Sequence, residues 1–332
     1  MTIPFQSTPN PKIITKITAI FFHIYQKQRL PALGSDCQTP ACMLKSSADT
    51  SLRRMLMSRE SLSLSFRGLP VHFSIVRPEA HLRHRVLLLC SPLLTGFHWR
   101  KLLPELSELG CLCVLAELPG FGQGADRSAF PHDSATRARL VWGVLDEVDA
   151  RIGGQNALWH LAAHGCACPT VMAMCAMQPD SVQSLVEISP LLPAGGRGLY
   201  LSGRKGAAEH IVTRALASPS AFAEFVARAA RRPLPDYAVE RMWAGLSRPN
   251  GRNALLRLLE TADEVPAQRG FCPAMAIWGG SDPLMPADAR EQLAALQPEV
   301  EAHIIRPAGH FPMETHSRAL RDYLRGWLKY VS

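Results

Sequence analysis

The chain has 332 residues, of which 47% are hydrophobic and 19% charged, which gives room for one substantial core and excludes a repeat array or a low-complexity protein. No run reaches the ~18 apolar residues that a membrane span needs. The net charge of +8 is local: residues 1–60 carry eight Lys/Arg against three acids, residues 191–267 carry eleven against seven, and no basic stripe interleaved with aromatics argues for a nucleic-acid partner.

Residues 1–60 are rich in Pro, Ser, Thr and Gln and hold no sustained helix or strand period, so a disordered N-terminal extension is expected there. Within it IITKITAIFFHIY (13–25) is the most apolar run, but Lys16 and His23 interrupt it and no small-residue cleavage site follows. Met55 or Met57 is an alternative start, because the sequence after them opens directly on strand-like alternation.

From there elements alternate. SLSLSF (61–66) and PVHFSIV (70–76) read as a hairpin, and HRVLLLC (84–90) as a buried parallel strand. FHWRKLLPELSELG (97–110) has helical spacing and stops at Gly110. CLCVLAELPGFG (111–122) is the next buried strand with a Pro/Gly turn, and ATRARLVWGVLDEVDARI (135–152) an amphipathic helix. NALWHLAAH (156–164), a helix, and VQSLVEISP (182–190) continue the beat, which predicts an α/β class with a mostly parallel sheet flanked by helices.

The beat breaks between Leu191 and about residue 267. AAEHIVTRALA, SAFAEFVARAARR, YAVERMWAGL and NALLRLLETA all have helical spacing with no strand between them. An all-helical insertion after the sixth strand is expected to lie over one edge of the sheet as a lid. AMAIWGGSDPLMP (274–286), ADAREQLAALQP (287–298), EAHIIRPAGHFP (301–312) and SRALRDYLRGWLKYV (317–331) then restore strand, helix, strand, helix. The core is therefore residues 61–190 and 268–332, and the lid residues 191–267.

Nine cysteines, several inside apolar strands, read as reduced core thiols of a cytoplasmic protein rather than a disulfide framework. Cys166 and Cys168 have no matching His/Cys pair, so neither a metal nor another cofactor is expected. The basic charges of 191–267 read as solvated helix faces; the sharper reading is attraction of an anionic substrate, including a carrier-linked acyl group, with Arg231 and Arg232 as its contacts.

Five segments carry a resemblance to the α/β-hydrolase superfamily over roughly residues 62–332: CSPLLTGFHW (90–99), ELPGFGQGADRS (117–128), AHGCA (163–167), WGGSDPLMP (278–286) and RPAGHFPMETH (306–316). The resemblance implies that Asp282 is the acid and His310 the base of a catalytic triad. A carboxylate there fixes the imidazole tautomer and stabilises its protonated form, while the other ring nitrogen faces the cleft. Each residue has a blander reading: Asp282 as a turn former, His310 as a packing histidine.

In that superfamily a Gly-x-Ser-x-Gly elbow carries the nucleophile between strand and helix. Here the five positions read Ala163-His164-Gly165-Cys166-Ala167, and the Pro179-Asp180 pair that follows keeps the register. By the resemblance Gly165 is a vacant nucleophile position, and without a side chain it forms no acyl-enzyme. The oxyanion donors would be the Cys166 amide and an amide of the loop Ser91-Pro92-Leu93-Leu94; Pro92 lacks a donor, whereas Leu93 or Leu94 would supply one. Cys166 as a substitute nucleophile stands against Cys166 as a small core residue. His164, Phe97 and Trp99 are candidates for substrate contact.

Two functions follow. One is an enzyme acting on a small carbonyl, ester or acyl-type substrate through a His310–Asp282 general-base dyad with no acyl-enzyme, either as a lyase-like catalyst or by direct activation of water. The other is an inactive family member, a pseudoenzyme, that binds a ligand or a protein partner. Oligomeric state leaves no mark in the sequence.

Overall fold

The computed structural model describes residues 59–66, 69–91, 94–119, 130, 132–153, 157–194, 197–199, 213–247, 251–261, 265, 267, 271–285 and 289–332. The expected extension, apart from Arg59 and Glu60, lies outside them, as do the Gly-rich turn after residue 119, Pro92 and Leu93.

In chain order the elements are β1 (Arg59–Phe66), β2 (Leu69–Val76), β3 (His84–Leu89), α1 (Leu103–Glu108), β4 (Cys111–Ala116), α2 (Ser134–Ile152), β5 (Trp159–His164), α3 (Cys168–Met177) and β6 (Val182–Ile188). After these come a short ribbon, β7 (Pro193–Ala194) with β8 (Arg197–Leu199), and three helices, α4 (Pro219–Ala230), α5 (Asp236–Leu246) and α6 (Gly251–Glu260). The chain closes with β9 (Ala274–Gly279), α7 (Ala289–Leu296), β10 (Glu301–Ile305), α8 (Pro312–Thr315) and α9 (Ser317–Tyr330).

Eight strands form one sheet in the order β1-β2-β4-β3-β5-β6-β9-β10. β1 and β2 pair as the expected antiparallel hairpin and β2 runs antiparallel to β4; every other pairing is parallel. β4, β5 and β9 are buried at every position, as a strand covered on both faces must be, which is why they read as continuous apolar runs rather than alternations. α2 starts on Asp133, whose side chain accepts from the Thr136 amide at 2.7 Å, and buries Leu140, Val141, Val144, Leu145 and Val148. It packs on α3, where the Trp142 indole donates to the Met174 carbonyl at 3.1 Å.

Three expectations need correction. The single helix over 97–110 is two pieces: a 3-10 turn at Gly96–Trp99 capped by Thr95, then α1. Pro104 has no amide hydrogen and would clash with the preceding turn, so a continuous helix cannot pass through it. The insertion after β6 is not all helical, because β7 and β8 pair antiparallel (Pro193↔Leu199, Ala194↔Arg197). Strands of two and three residues are too short to leave a readable period. The first hairpin strand opens at Arg59 rather than Ser61, since the ladder with β2 continues to Arg59↔Val76.

All seven described cysteines are unbridged, six of them buried. No described helix is long and apolar enough to cross a membrane. No group of three or more His, Cys, Asp or Glu that could hold a metal occurs among the described residues.

Candidate active site

Strands β3, β5, β9 and β10 all run parallel to one another through their ladders, so their carboxyl ends share one edge of the sheet. Open α/β sheets place ligands at such an edge. Ser91 follows β3, Gly165 follows β5, Asp282 follows β9 and His310 follows β10.

Asp282 and His310 meet there. His310 Nδ1 lies 2.8 Å from Asp282 Oδ2, and both residues are buried, at 2% and 8% exposure. The second carboxylate oxygen, Oδ1, accepts from the Leu284 amide at 2.8 Å, which holds the carboxylate plane. Nδ1 therefore carries the proton given to Asp282, and Nε2 presents its lone pair away from it.

Gly165 takes φ +57°, in the left-handed region that only glycine enters freely. A Cβ built there would stand 3.4 Å from His310 Nε2, 3.2 Å from Ser91 Cβ and 3.7 Å from Ser91 Oγ. The turn after β5 thus faces the imidazole nitrogen that Asp282 leaves open.

His164, the last residue of β5, is fully buried beneath the same cluster. Its Nε2 is 2.8 Å from the His310 carbonyl and its Nδ1 is 3.2 Å from Ser91 Oγ. Its ring lies edge-on to His310, with centroids 4.8 Å apart, and stacks on Phe311. Burial, with His310 adding to it, pushes this imidazole well below its ordinary range, so it is neutral.

The remaining candidates stand elsewhere. Cys166 begins the turn into α3, buried, with its thiol pushed up to about 11 chiefly by burial; a neutral thiol is a poor nucleophile. Trp99 is 1% exposed and donates its indole hydrogen to Cys90 Sγ at 2.8 Å, so it packs in the core behind the loop. Phe97 is half-buried under the Arg100 guanidinium, 4.1 Å from its centroid, and edge-on to Tyr237 of α5. The Leu94 amide donates to the Ser91 carbonyl at 2.9 Å, closing a turn, so that amide is already engaged.

The helical segment touches this edge at several points. The His310 amide donates to the Ala229 carbonyl at 2.8 Å, and Arg231 Nε donates to the Ser281 carbonyl at 2.6 Å. His98 Nε2 is 3.3 Å from the Ala238 carbonyl. Gly309 explains the small residue before His310: a Cβ there would lie 2.2 Å from the Ala229 oxygen. Below these contacts Glu314 takes two bonds from Arg100, at 2.5 and 2.9 Å, and a salt bridge from Lys101 at 3.0 Å. Burial would raise the Glu314 carboxyl, but Arg100 and Lys101 outweigh it and hold it below its usual range.

Ser91 is the member of the cluster that sequence reasoning passed over. The signal was available only through pairing: Leu89 of β3 sits opposite Ala163 of β5, so the residues two further on, Ser91 and Gly165, come side by side. A separate cavity of about 340 Å3, lined by His81, Arg83, His84, Glu108, Leu328 and Lys329 among others, lies at the opposite end of β3 from Ser91 and shares no residue with the cluster.

Residues 85–317 match the family described as alpha/beta hydrolase fold. Among solved structures, the chain is similar to wild-type Cfl2 from Burkholderia cenocepacia, with 22% identity, 81% of this chain and 96% of that one covered, and a TM-score of 0.65. It is similar to the ligand-free epoxide hydrolase CorEH (15% identity, 82% and 100% covered, TM-score 0.64). A third similar structure is a malate-bound thermophilic esterase from Thermogutta terrifontis (18% identity, 82% and 99% covered, TM-score 0.62). No curated protein sequence matches the chain.

Proposed function

This chain belongs to the α/β-hydrolase fold family, and from that premise we propose that it acts on a small carbonyl, ester or acyl-type substrate through His310 and Asp282, without an acyl-enzyme. Gly165 is the vacant nucleophile position. One observation carries the reading: the 2.8 Å His310–Asp282 bond leaves Nε2 open, 3.4 Å from where a side chain on residue 165 would begin. A base aimed at an absent nucleophile can take its proton only from substrate or from water.

His310 is the general base and Asp282 the group that orients it and stabilises the imidazolium. The Cys166 amide, at the start of the turn into α3, is the donor for a developing oxyanion. Residues 191–267 act as a lid: α4 and α5 bond to the loops that carry His310, Ser281 and His98. With Arg231 and Arg232 on that segment, the substrate is anionic or carrier-linked.

The test is hydrolysis of esters and thioesters, and proton abstraction from acidic C–H compounds, by the purified protein, its His310→Ala variant and its Asp282→Asn variant. The expected loss is about 10³-fold or more in kcat for each, as when a triad base or its orienting acid is removed. Equal rates in wild type and His310→Ala would end the reading. The second reading, a non-catalytic ligand-binding member, is favoured by the near-complete burial of His164, His310 and Ser91; it predicts ligand-dependent stabilisation that His310→Ala leaves in place.

A further inference from the structure

We infer that Ser91 and His310 together seat the attacking water, so that the reaction begun at His310 is hydrolysis and Ser91 is the residue that aims the water. The inference rests on the general-base reading above and goes beyond it by naming the reacting molecule and its second anchor.

The direction of each hydrogen bond follows from what its partner can do. The His310 carbonyl can only accept, so His164 Nε2, 2.8 Å away, carries the hydrogen. Because His164 is neutral, its Nδ1 has a lone pair and accepts from the Ser91 hydroxyl at 3.2 Å. The one proton of Ser91 is thereby committed downward, and Oγ offers lone pairs to the space above Gly165. His310 is constrained in the same way. Its Nδ1 hydrogen goes to Asp282, so Nε2 also offers a lone pair.

Two acceptors therefore face the same side of Gly165: a Cβ built there would lie 3.4 Å from His310 Nε2 and 3.7 Å from Ser91 Oγ, and a water oxygen stands farther out than that point, in van der Waals contact with the glycine Cα. A molecule bridging them must donate two hydrogens from one atom. Water does so and still has a lone pair to aim at a carbonyl; an alcohol has one hydroxyl hydrogen and cannot. Glycine at 165 puts no side chain in the way of that oxygen. The turn closed by the Leu94 amide on the Ser91 carbonyl fixes the serine in place.

In the step, water gives one proton to His310 Nε2 and its oxygen bonds the acyl carbon. The bond to the leaving alcohol breaks, and the proton held by His310 passes to the departing alkoxide, leaving a carboxylic acid and an alcohol. Ser91 keeps its own proton throughout and forms no covalent bond.

The experiment compares wild type, Ser91→Ala and His310→Ala on p-nitrophenyl acetate and butyrate, with and without added methanol as a competing nucleophile. Ser91→Ala should lower kcat about 10- to 100-fold, with KM within about twofold, because a misaimed water affects the transition state rather than substrate binding. It should also erode the preference for water over methanol in the products, which a merely structural loss would not do. Loss in His310→Ala with wild-type kcat or unchanged product partition in Ser91→Ala overturns the inference and leaves the general-base reading intact. No hydrolysis by wild type overturns the inference, and the general-base reading falls with it when proton abstraction from acidic C–H compounds is absent as well. Nitrogen-15 NMR of the histidine rings adds a measurement that needs no substrate: His164 should be the Nε2–H tautomer, and the Nδ1–H form would overturn the inference.

Discussion

Placing a serine at position 165 probes the geometry of the cluster directly. Gly165 sits at φ +57°, where a residue with a Cβ pays about 1–2 kcal/mol. Its Cβ would also press on Ser91 Cβ at 3.2 Å, and relieving a crowded core contact of this kind costs about 1–3 kcal/mol. Gly165→Ser should therefore destabilise by about 2–5 kcal/mol. Ser91→Gly removes the crowding, so the double variant should recover about 1 kcal/mol or more relative to the sum of the two singles. Urea denaturation of the four proteins yields that coupling, with Gly165→Ala as a control that has the Cβ and no hydroxyl. The double variant also places a hydroxyl beside His310 Nε2, and it should label stoichiometrically with a fluorophosphonate and give a burst on p-nitrophenyl acetate. Gly165→Ser alone should label more slowly, and wild type not at all. Strictly additive stabilities, or a double variant that stays unlabelled, would refute the placement of Ser91 and His310 about position 165.

Glu314→Gln leaves Arg100 buried without its counter-charge; stability should fall by about 3–5 kcal/mol, roughly 6–10 °C in Tm, measured by thermal melting at pH 7. Since the folded-state carboxyl lies below its unfolded value, its stabilisation is present above the unfolded pKa and fades as pH falls through the folded one, so wild type and variant should converge as pH falls below the ordinary carboxylate range. Glu187 has the opposite sign. Burial pushes its carboxyl up to about 8, with the bond from Gln297 only partly offsetting this. Its contribution is full below the ordinary carboxylate range and lost as pH rises to about 8; Glu187→Gln should gain on wild type between pH 5 and pH 9 by a few kcal/mol, on the order expected for a shift of that size. Parallel urea curves at the two pH values would contradict this. Gly309→Ala drives a Cβ to 2.2 Å from the Ala229 oxygen and should cost about 3 kcal/mol. Its effect on α4 should be visible as faster amide exchange in residues 219–230.

Much of the fold was legible because burial on both faces of a parallel sheet demands unbroken apolar runs, and amphipathic helices demand the 3.6-residue period; both are local. β3, β4, β5, β6 and β9 fall on such runs, whereas β10, an edge strand exposed at most of its positions, does not; the Ser-Asp-Pro and Ala-Gly-His segments stand after β9 and β10. Local patterning also carried the turn after β5: a strand, small residues at 163, 165 and 167, and a helix.

The chemistry of the cluster is not local. Ser91 and His164 are 73 residues apart, His164 and His310 are 146 apart, and Arg100 and Glu314 are 214 apart. They meet because strand order puts β5 beside β3 and brings β9 and β10 to the same edge, and no period in the chain encodes that order. Direction came from the same source. Which histidine nitrogen carries a hydrogen, and hence whether Ser91 gives or accepts toward the space above Gly165, depends on a carbonyl of His310 that only packing delivers to His164. That residue 165 is a glycine could be read from one letter; what surrounds it depends on contacts made in three dimensions.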